Sequence, residues 1–196
     1  MISASEVAEF RRRTGAGLMD AKKALEAANG DMDKALEGLR IKGLAKAASK
    51  QSRTADQGLV VAYTHGGRIG ALLELNCETD FVARNQEFQQ LAKELVMQVA
   101  ATSPEYLSPE DVPAELVAKE EKLAAEEAKQ AGKPTAAIEQ IVKGKLGKFY
   151  SERCLLMQAH IKDPSKTIEA LLAEATAKLG EKISIRRFSR IELSKE

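Results

Sequence analysis

The sequence predicts an α+β protein: an N-terminal three-helix module, then a small antiparallel sheet with packed helices. Apolar residues recur at helical spacing over roughly the first 40 positions. The pattern then changes to an alternation of β-forming residues, first in GLVVAYT and RIGALLELN. Between these strands and the C-terminal segment, two stretches rich in Glu and Lys predict an inserted helical hairpin at about 108–150.

The first segment predicts three short amphipathic helices joined by glycine-containing turns. Ser3 and Glu6 have the spacing of a capping box, and TGAG is expected to end the first helix. Asn29-Gly30 is typical of the left-handed end of a second helix, and Asp31 caps a third that we expect to end at Gly43. The residues predicted to face the core share helical spacing: Val7, Phe10, Leu18, Ala21, Leu25, Ala28, Met32, Ala35, Leu36 and Leu39.

The segment LAKAASKQSRTADQ predicts a helical or flexible linker, because it is rich in Ala, Lys and Ser and lacks an apolar stripe. A domain boundary is therefore expected here, dividing residues 1–53 from an α+β core at 54–196. Residues 1–53 carry eleven basic and seven acidic side chains. Such an excess is typical of a solvated surface, and the alternative is a basic arm that binds RNA.

The core is predicted to begin with a β-hairpin, because HGG joins two alternating runs. A helix from about Asn85 to Ala101 follows, with one apolar face made of Phe88, Leu91, Ala92, Leu95 and Val99. Near the C-terminus, RCLLMQAHI and ISIRRFSRIEL predict strands, and TIEALLAEATAKLG predicts a helix between them. Strands from both sides of the helical hairpin are expected to share one antiparallel sheet.

The helical hairpin is predicted to start at SPED, where Ser108 caps a helix and Pro109 takes its first position. Its helices are expected at about 113–131 and 135–149, separated by GKP, whose glycine ends one helix and whose proline prevents continuation. The apolar residues predicted to face each other across the hairpin are Leu116, Leu123, Ile138, Ile141, Leu146 and Phe149.

Motifs for chemistry are scarce in this sequence. There is no phosphate-binding loop motif, and HGGRIG lacks the spacing of a dinucleotide fingerprint. The two histidines, His65 and His160, and the two cysteines, Cys77 and Cys154, lack the spacing of a common zinc site. A Cys–His nucleophile stays open, but a thiol in an apolar strand pattern is typically a small hydrophobic residue. We therefore expect no enzyme activity, no metal and no cofactor.

The overall composition bounds the partners and the compartment. The chain carries 30 basic and 29 acidic residues, a net charge of +1, so no bulk field attracts nucleic acid or a membrane. The start of the chain has no apolar signal core, and no long apolar run follows. With two cysteines in no disulfide-type arrangement, we expect a cytoplasmic protein.

Two stretches are unusual enough to suggest a function. In NCETDFVARN, Asp80 and Phe81 stand where the chain is expected to turn at the surface. The residues alone leave alternatives: Asp80 caps the coming helix while Phe81 staples its first turn or enters the core, or Phe81 is displayed to a partner. In TGAGLMDAKKAL, a glycine turn precedes a helix that carries Lys22 and Lys23. From the residues alone, these two lysines are interpreted as ordinary surface charges.

Together, TGAGLMDAKKALEAANGD, NCETDFVARN and the ending KLGEKISIRRF resemble the bacterial elongation factor Ts family over the whole chain. The resemblance implies a guanine-nucleotide exchange factor that binds elongation factor Tu, in its nucleotide-free and GDP forms, during translation elongation. It also implies that the N-terminal module is ubiquitin-associated-like and docks on the GTPase domain, with Lys22 at a matching contact position. We expect the adjacent Lys23 to contribute to the same contact.

The resemblance further implies which residues bind the partner. In the family, an Asp-Phe pair inserts between helices of the GTPase near its magnesium and phosphate site, and Asp80 and Phe81 match that pair. A histidine of the HGGRIG hairpin and a leucine of the KLGE turn match further contacts. The implied contact residues of the core are His65, Thr79, Asp80, Phe81, Val82 and Leu179.

The chain departs from longer family members in one respect. Those carry two unequal copies of the core half, one with the TDFV turn and one with the histidine hairpin, whereas here both motifs lie in a single half. A single core half is expected to need a second one. We therefore expect a twofold homodimer that pairs the sheets and buries their apolar faces. Two other functions stay open: the RNA-binding arm, which lacks aromatic residues for base stacking, and an adaptor whose three-helix module binds an unrelated protein.

Overall fold

The computed structural model describes residues 2–14, 16–50 and 52–193 of the 196-residue chain. Within them the chain is α+β, with N-terminal helices, a small antiparallel sheet and packed helices, which confirms the predicted fold class. The predicted TGAG turn includes Gly15, which lies outside the described residues. Within the described residues, no helix is both long and apolar enough to cross a membrane.

The chain forms two compact units, each assembled from separate segments. The first unit comprises Met1–Leu59, Leu75–Leu91 and Ala170–Arg186, and the second comprises Val60–Glu74, Ala92–Glu169 and Arg187–Glu196. The predicted boundary near residue 53 stays a prediction.

The N-terminal module consists of α1 (Ala4–Thr14), α2 (Leu18–Ala27) and α3 (Met32–Ala48). Its capping box is confirmed, since Glu6 accepts from the Ser3 N–H at 2.7 Å and Ser3 Oγ accepts from the Glu6 N–H at 3.2 Å. The left-handed end of α2 is also confirmed, with φ angles of 51° at Asn29 and 88° at Gly30. Asp31 caps α3 by accepting from two backbone N–H groups at its start.

The core of this module is smaller than predicted. It is formed by Val7, Phe10, Ala21, Leu25 and Ala35, with Ala28, Met32 and Leu39 packed against it. The prediction is wrong for Leu18 and Leu36, which are 57% and 46% exposed at the margins of the apolar stripe. The predicted end of the third helix at Gly43 is also wrong, because Gly43 lies inside α3. A Cβ at Gly43 would come within 3.4 Å of the Ala177 side chain, so this glycine permits close packing instead of ending the helix.

The strands are β1 (Gln57–His65), β2 (Ile69–Cys77), β3 (Ala159–His160), β4 (Asp163–Thr167) and β5 (Ser184–Glu192). The predicted hairpin between β1 and β2 is confirmed. Gly66 and Gly67 both have positive φ, 56° and 66°, and the Arg68 N–H donates to the His65 carbonyl at 3.0 Å. These angles fit a type I′ turn. The sheet order is β1-β2-β5, so strands from both sides of the helical hairpin share one sheet, as predicted.

The remaining helices are α4 (Asp80–Ala83), α5 (Gln86–Thr102), α6 (Ala114–Gln130), α7 (Thr135–Arg153) and α8 (Ile168–Leu179). The predicted apolar face of α5 is confirmed, because all five of its residues are buried. Gly132 ends α6 with a φ of 68°, also as predicted. SPED forms a short 3₁₀ turn at Pro109–Asp111, capped by Ser108, instead of the start of an α-helix.

Two further predictions beyond α5 are wrong. Leu123 is 49% exposed, and the buried positions of α6 are Ala124 and Ala128, so small residues make its packed face. RCLLMQAHI is not a continuous strand, because Leu155–Met157 forms a 3₁₀ turn and β3 has two residues, paired with the unpredicted β4. The backbone of the turn bonds to an earlier segment, because the Leu155 and Leu156 N–H groups donate to the Tyr106 and Leu107 carbonyls at 2.9 and 3.0 Å.

Candidate functional site

The TDFV turn, Thr79–Val82, follows directly from the end of β2 and starts the short helix α4. Thr79 is the N-cap of that helix, with an extended backbone and an Oγ1 that accepts from the Val82 N–H at 3.5 Å. All four residues of α4 are described, and none of them is buried. A single helical turn gains little stability from its own hydrogen bonds, so other contacts must hold this turn in place.

Phe81 is displayed on the surface of the first unit. Its side chain is 80% exposed, the highest value among the exposed large apolar residues of the described chain. The alternative in which Phe81 enters the core is therefore wrong, and so is the expectation that Asp80 caps the helix, because Thr79 does so. Asp80 instead pairs with Arg84 at 2.8 Å, one turn further along.

The start of the TDFV turn is fixed by the carboxylate of Glu181. Glu181 Oε2 accepts from the backbone N–H groups of Glu78 and Thr79 at 3.0 and 2.9 Å, and Oε1 accepts from the Thr79 hydroxyl at 2.6 Å. In the opposite direction, Glu78 accepts from the Lys182 N–H at 2.6 Å. We call these four residues, Glu78, Thr79, Glu181 and Lys182, the carboxylate clamp. Charged acceptors make hydrogen bonds that are stronger than neutral ones.

The thiol next to the clamp supports it without being reactive. Cys77 is fully buried, and its Sγ donates to the Thr79 carbonyl at 3.1 Å. Burial, together with the nearby charge of Glu181, raises the pKa of Cys77 to about 11. The sulfur is therefore a neutral thiol at physiological pH, which is unsuited to nucleophilic attack.

Leu179, another predicted contact residue, lies beside the clamp. It is the last residue of α8 and is half-buried, and Gly180 ends the helix with a φ of 80°. The Ile183 N–H donates to the Thr176 hydroxyl at 3.2 Å, which ties the following chain back to α8. The KLGE turn thus has a defined shape on both sides of Glu181.

The two predicted lysines lie on α2 in the same unit. Lys22 pairs with Glu26 at 3.7 Å and is 52% exposed, so it can exchange this neighbour for a partner at little cost. Lys23 lines a shallow groove between α2 and α3. The groove is formed by Asp20, Lys23, Ala24, Ala27, Ala28, Lys34, Gly38, Leu39 and Lys42. It combines an apolar floor with a mainly basic rim.

His65 belongs to the second unit, unlike the other predicted contact residues. It is the last residue of β1, directly before the glycine turn, and it is exposed. Its Nδ1 lies 3.1 Å from the Tyr63 hydroxyl, which orients the imidazole ring. The hairpin tip therefore presents a polar aromatic group with a defined direction.

Comparison with known proteins relates the whole chain to one family. The family described as Elongation factor TS matches residues 26–177. Curated relatives named Elongation factor Ts include one from Caldanaerobacter subterraneus subsp. tengcongensis, 58% identical over 98% of this chain and 96% of the relative. Those from Thermoanaerobacter pseudethanolicus and Moorella thermoacetica are 56% and 55% identical over 98% of this chain and 95% and 96% of their own lengths. The chain belongs to the elongation factor Ts family.

Two groups of residues lie next to the predicted contact residues of this elongation factor Ts but were not predicted as part of the site from the sequence. One is the carboxylate clamp, of which Glu181 is the central member. The only sequence signal for it was a carboxylate directly after the glycine that ends a predicted helix. The other is the pair Leu18 and Met19 at the start of α2, which are 57% and 60% exposed next to the lysines.

The basic segment proposed as an RNA-binding arm is largely engaged within the first unit. α3 continues through it as far as Ala48, and Lys42 pairs with Asp20 at 2.9 Å. The Lys50 ammonium donates to the Gly180 carbonyl. Arg53 pairs with Glu78 of the carboxylate clamp at 3.2 Å. The arm alternative gains no support from this arrangement.

Proposed function

We propose that this chain, as an elongation factor Ts, binds elongation factor Tu through the TDFV turn and promotes the release of GDP during translation elongation. The observation that carries the proposal is the 80% exposed ring of Phe81 on a turn held by the carboxylate clamp. A large apolar side chain that is exposed to water gains free energy when a partner buries it, so Phe81 suits insertion into a partner. Its place of action is the cytoplasm, where elongation takes place.

The function requires no covalent chemistry from this chain. A nucleotide exchange factor binds the nucleotide-free GTPase more tightly than the GDP-bound form, and linkage then requires GDP to bind the complex correspondingly worse. In the GTPase, GDP is held by backbone dipoles of the phosphate loop and by magnesium, both of which need accurate local geometry. Insertion of Phe81 between helices of the partner displaces these groups.

Asp80 contributes a charge beside the inserted ring. Its carboxylate accepts hydrogen bonds from donors of the GTPase that the insertion exposes. To do so it must release Arg84, its exposed neighbour at 2.8 Å. Exposed ion pairs of this kind are worth only about 0–1 kcal/mol, so the exchange of partners costs little.

The magnitude of the effect requires several contacts. A ten-thousandfold loss of GDP affinity needs about 5.5 kcal/mol of differential binding. Burial of one Phe side chain supplies about 1.5–3 kcal/mol. Phe81 therefore acts together with Asp80 and the N-terminal module. The further contact residues of the proposal are Lys22, Lys23, His65, Thr79, Val82 and Leu179.

The test is the release of fluorescent mant-GDP from elongation factor Tu, with and without this chain. Wild type is expected to accelerate release. Phe81→Ala is expected to lose about ten- to a hundredfold of the acceleration, the equivalent of burying one Phe ring. Leu123→Ala is the matched control, because Leu123 is also an exposed apolar residue but lies on α6. Normal acceleration by a folded Phe81→Ala protein would overturn the proposal.

We further propose that the chain acts as a twofold homodimer. The support is the presence of exposed apolar side chains on strands of the second unit, where Leu72 and Ile191 are 50% and 74% exposed. A second copy that pairs its sheet with this one would remove these side chains from water. Light scattering is expected to give twice the chain mass, and Leu72→Glu is expected to give the mass of one chain. A wild-type protein with the mass of one chain at micromolar concentration would contradict this proposal.

A further inference from the structure

The carboxylate clamp links two segments that are far apart in sequence but lie in the same unit. Glu181 is 102 positions from Thr79, yet it accepts hydrogen bonds from the Thr79 N–H, the Thr79 hydroxyl and the Glu78 N–H. Both of its carboxylate oxygens are thus used at the start of the TDFV turn. The partner-binding residues proposed above do not include Glu181.

The helix that bears Phe81 depends on this support. α4 has four residues, all described and none buried, so burial of apolar side chains does not fix its position. The Thr79 cap alone is long, because its Oγ1 lies 3.5 Å from the Val82 nitrogen. A carboxylate at the N-terminus of a helix is favourable, since it faces the free N–H groups and the positive end of the backbone dipoles.

The Glu181 side of the clamp is itself well fixed. Gly180 ends α8 in the left-handed conformation, and its N–H donates to the Thr176 carbonyl at 3.0 Å. The next residue, Lys182, donates its N–H to Glu78 at 2.6 Å and its ammonium to the Arg53 carbonyl at 2.9 Å. Glu181 therefore projects from a chain segment that is held on both sides.

We propose that Glu181 is a positioning residue for nucleotide exchange, which fixes the TDFV turn so that Phe81 is already aimed at the GTPase before binding. This inference rests on the proposed function. A ring presented on a rigid turn loses less conformational entropy on insertion than one on a mobile loop. Loss of the clamp should therefore impair the insertion step more than the initial docking through the N-terminal module.

The experiment measures stimulated mant-GDP release from elongation factor Tu over a range of chain concentrations. Glu181→Ala is expected to lower the maximal release rate about tenfold while changing the half-saturating concentration less than about threefold. Glu181→Gln keeps one accepting oxygen but loses the charge, so its maximal rate is expected to fall between wild type and Glu181→Ala. Glu181→Gln also provides the test of the positioning role if Glu181→Ala does not fold.

Two further variants separate positioning from a general loss of structure. Glu94→Ala is the matched control, because Glu94 is also a half-buried carboxylate, paired with Lys162 at 2.9 Å in the second unit. It is expected to keep the wild-type rate. In a Phe81→Ala background, Glu181→Ala should lower the rate by less than about twofold further, because both changes remove the same step.

The possible outcomes distinguish this inference from the proposed function. Faster hydrogen exchange at the Glu78 and Thr79 amides in Glu181→Ala, together with the non-additive rates, would support the positioning role. A wild-type maximal rate for Glu181→Ala alongside a defective Phe81→Ala would overturn the inference and leave the proposed function intact. Additive effects of the two changes would also overturn it. A normal rate for Phe81→Ala would overturn the proposed function itself.

Discussion

Two phenylalanines seven positions apart differ completely in their exposure to solvent. Phe88, in α5, is completely buried, whereas Phe81, in α4, is 80% exposed. α5 has a continuous apolar face and is held by burial, while the start of α4 is held by hydrogen bonds to the Glu181 carboxylate. The comparison teaches that a protein can fix an apolar side chain in water if polar contacts carry the stability of the segment that bears it.

The largest difference is expected in stability when each ring is removed. Phe88→Ala should lower the free energy of unfolding by about 3–5 kcal/mol, because it leaves a cavity in a packed core. Phe81→Ala should change it by less than about 0.5 kcal/mol, as for other surface substitutions. Urea unfolding followed by circular dichroism measures both. Equal losses for the two variants would remove the distinction between the helices.

A smaller effect is expected when the polar support of α4 is weakened. Thr79→Val removes the hydroxyl that donates to Glu181 at 2.6 Å and caps α4. We expect a loss of about 1 kcal/mol in the free energy of unfolding, typical for a helix cap. Thr14→Val gives the comparison with a hydroxyl at the other end of a helix, which donates to the Phe10 carbonyl at 2.8 Å and accepts from the Ala16 N–H at 3.2 Å. An unchanged unfolding midpoint for Thr79→Val, with unchanged amide exchange in α4, would mean that the clamp does not stabilise the turn.

The smallest effect concerns the pH dependence of the clamp. The hydrogen bond from the Lys182 N–H, with a further one from Arg53, lowers the pKa of Glu78. A lowered pKa in the folded state contributes stability that is present above the unfolded carboxyl pKa and is lost as the pH falls through the folded value. The stability difference between wild type and Glu78→Gln should therefore shrink as the pH is lowered from neutral. A difference that grows in acid would contradict this assignment.

The sequence was a good guide where the determinants are local. The Ser3–Glu6 capping box, the glycine turn after His65 and the apolar face of α5 each depend on residues within a few positions of one another. Their hydrogen bonds or burial are present in the structure as expected. The fold class follows from these elements and their order.

The errors occur where distant parts of the chain decide the outcome. Helical spacing shows which face is apolar, but neighbouring elements decide how wide the buried stripe is, so Leu18 and Leu123 are exposed. The apolar run before β3 could not be recognised as a turn, because its backbone bonds to a distant segment: the Leu155 N–H donates to the carbonyl of Tyr106, 49 positions earlier, at 2.9 Å. Glu181 was missed for the same reason, since its partners lie 102 and 103 positions earlier.

In the candidate site, too, some features could be predicted from the sequence and others depend on the folded structure. The exposed position of Phe81 could be stated from the sequence as one alternative, and the structure selects it. That Thr79 and not Asp80 caps the helix depends on the backbone at Thr79, with φ −129° and ψ 157°, which residue types alone do not determine. Lys22 and Lys23 were identified through the family match, because exposed lysines on a helix have no distinguishing pattern of their own.

The most direct test of the central claim is whether the partner removes the ring at position 81 from water. The chain contains no tryptophan, so Phe81→Trp introduces a single indole whose fluorescence can be followed against wild type as the blank. Free in solution, this indole is expected to show the emission of a water-exposed group. On addition of nucleotide-free elongation factor Tu the emission should shift to shorter wavelength and resist quenching by iodide, provided that the variant still stimulates GDP release. An active complex in which the indole keeps its free spectrum and its full quenching would contradict the account.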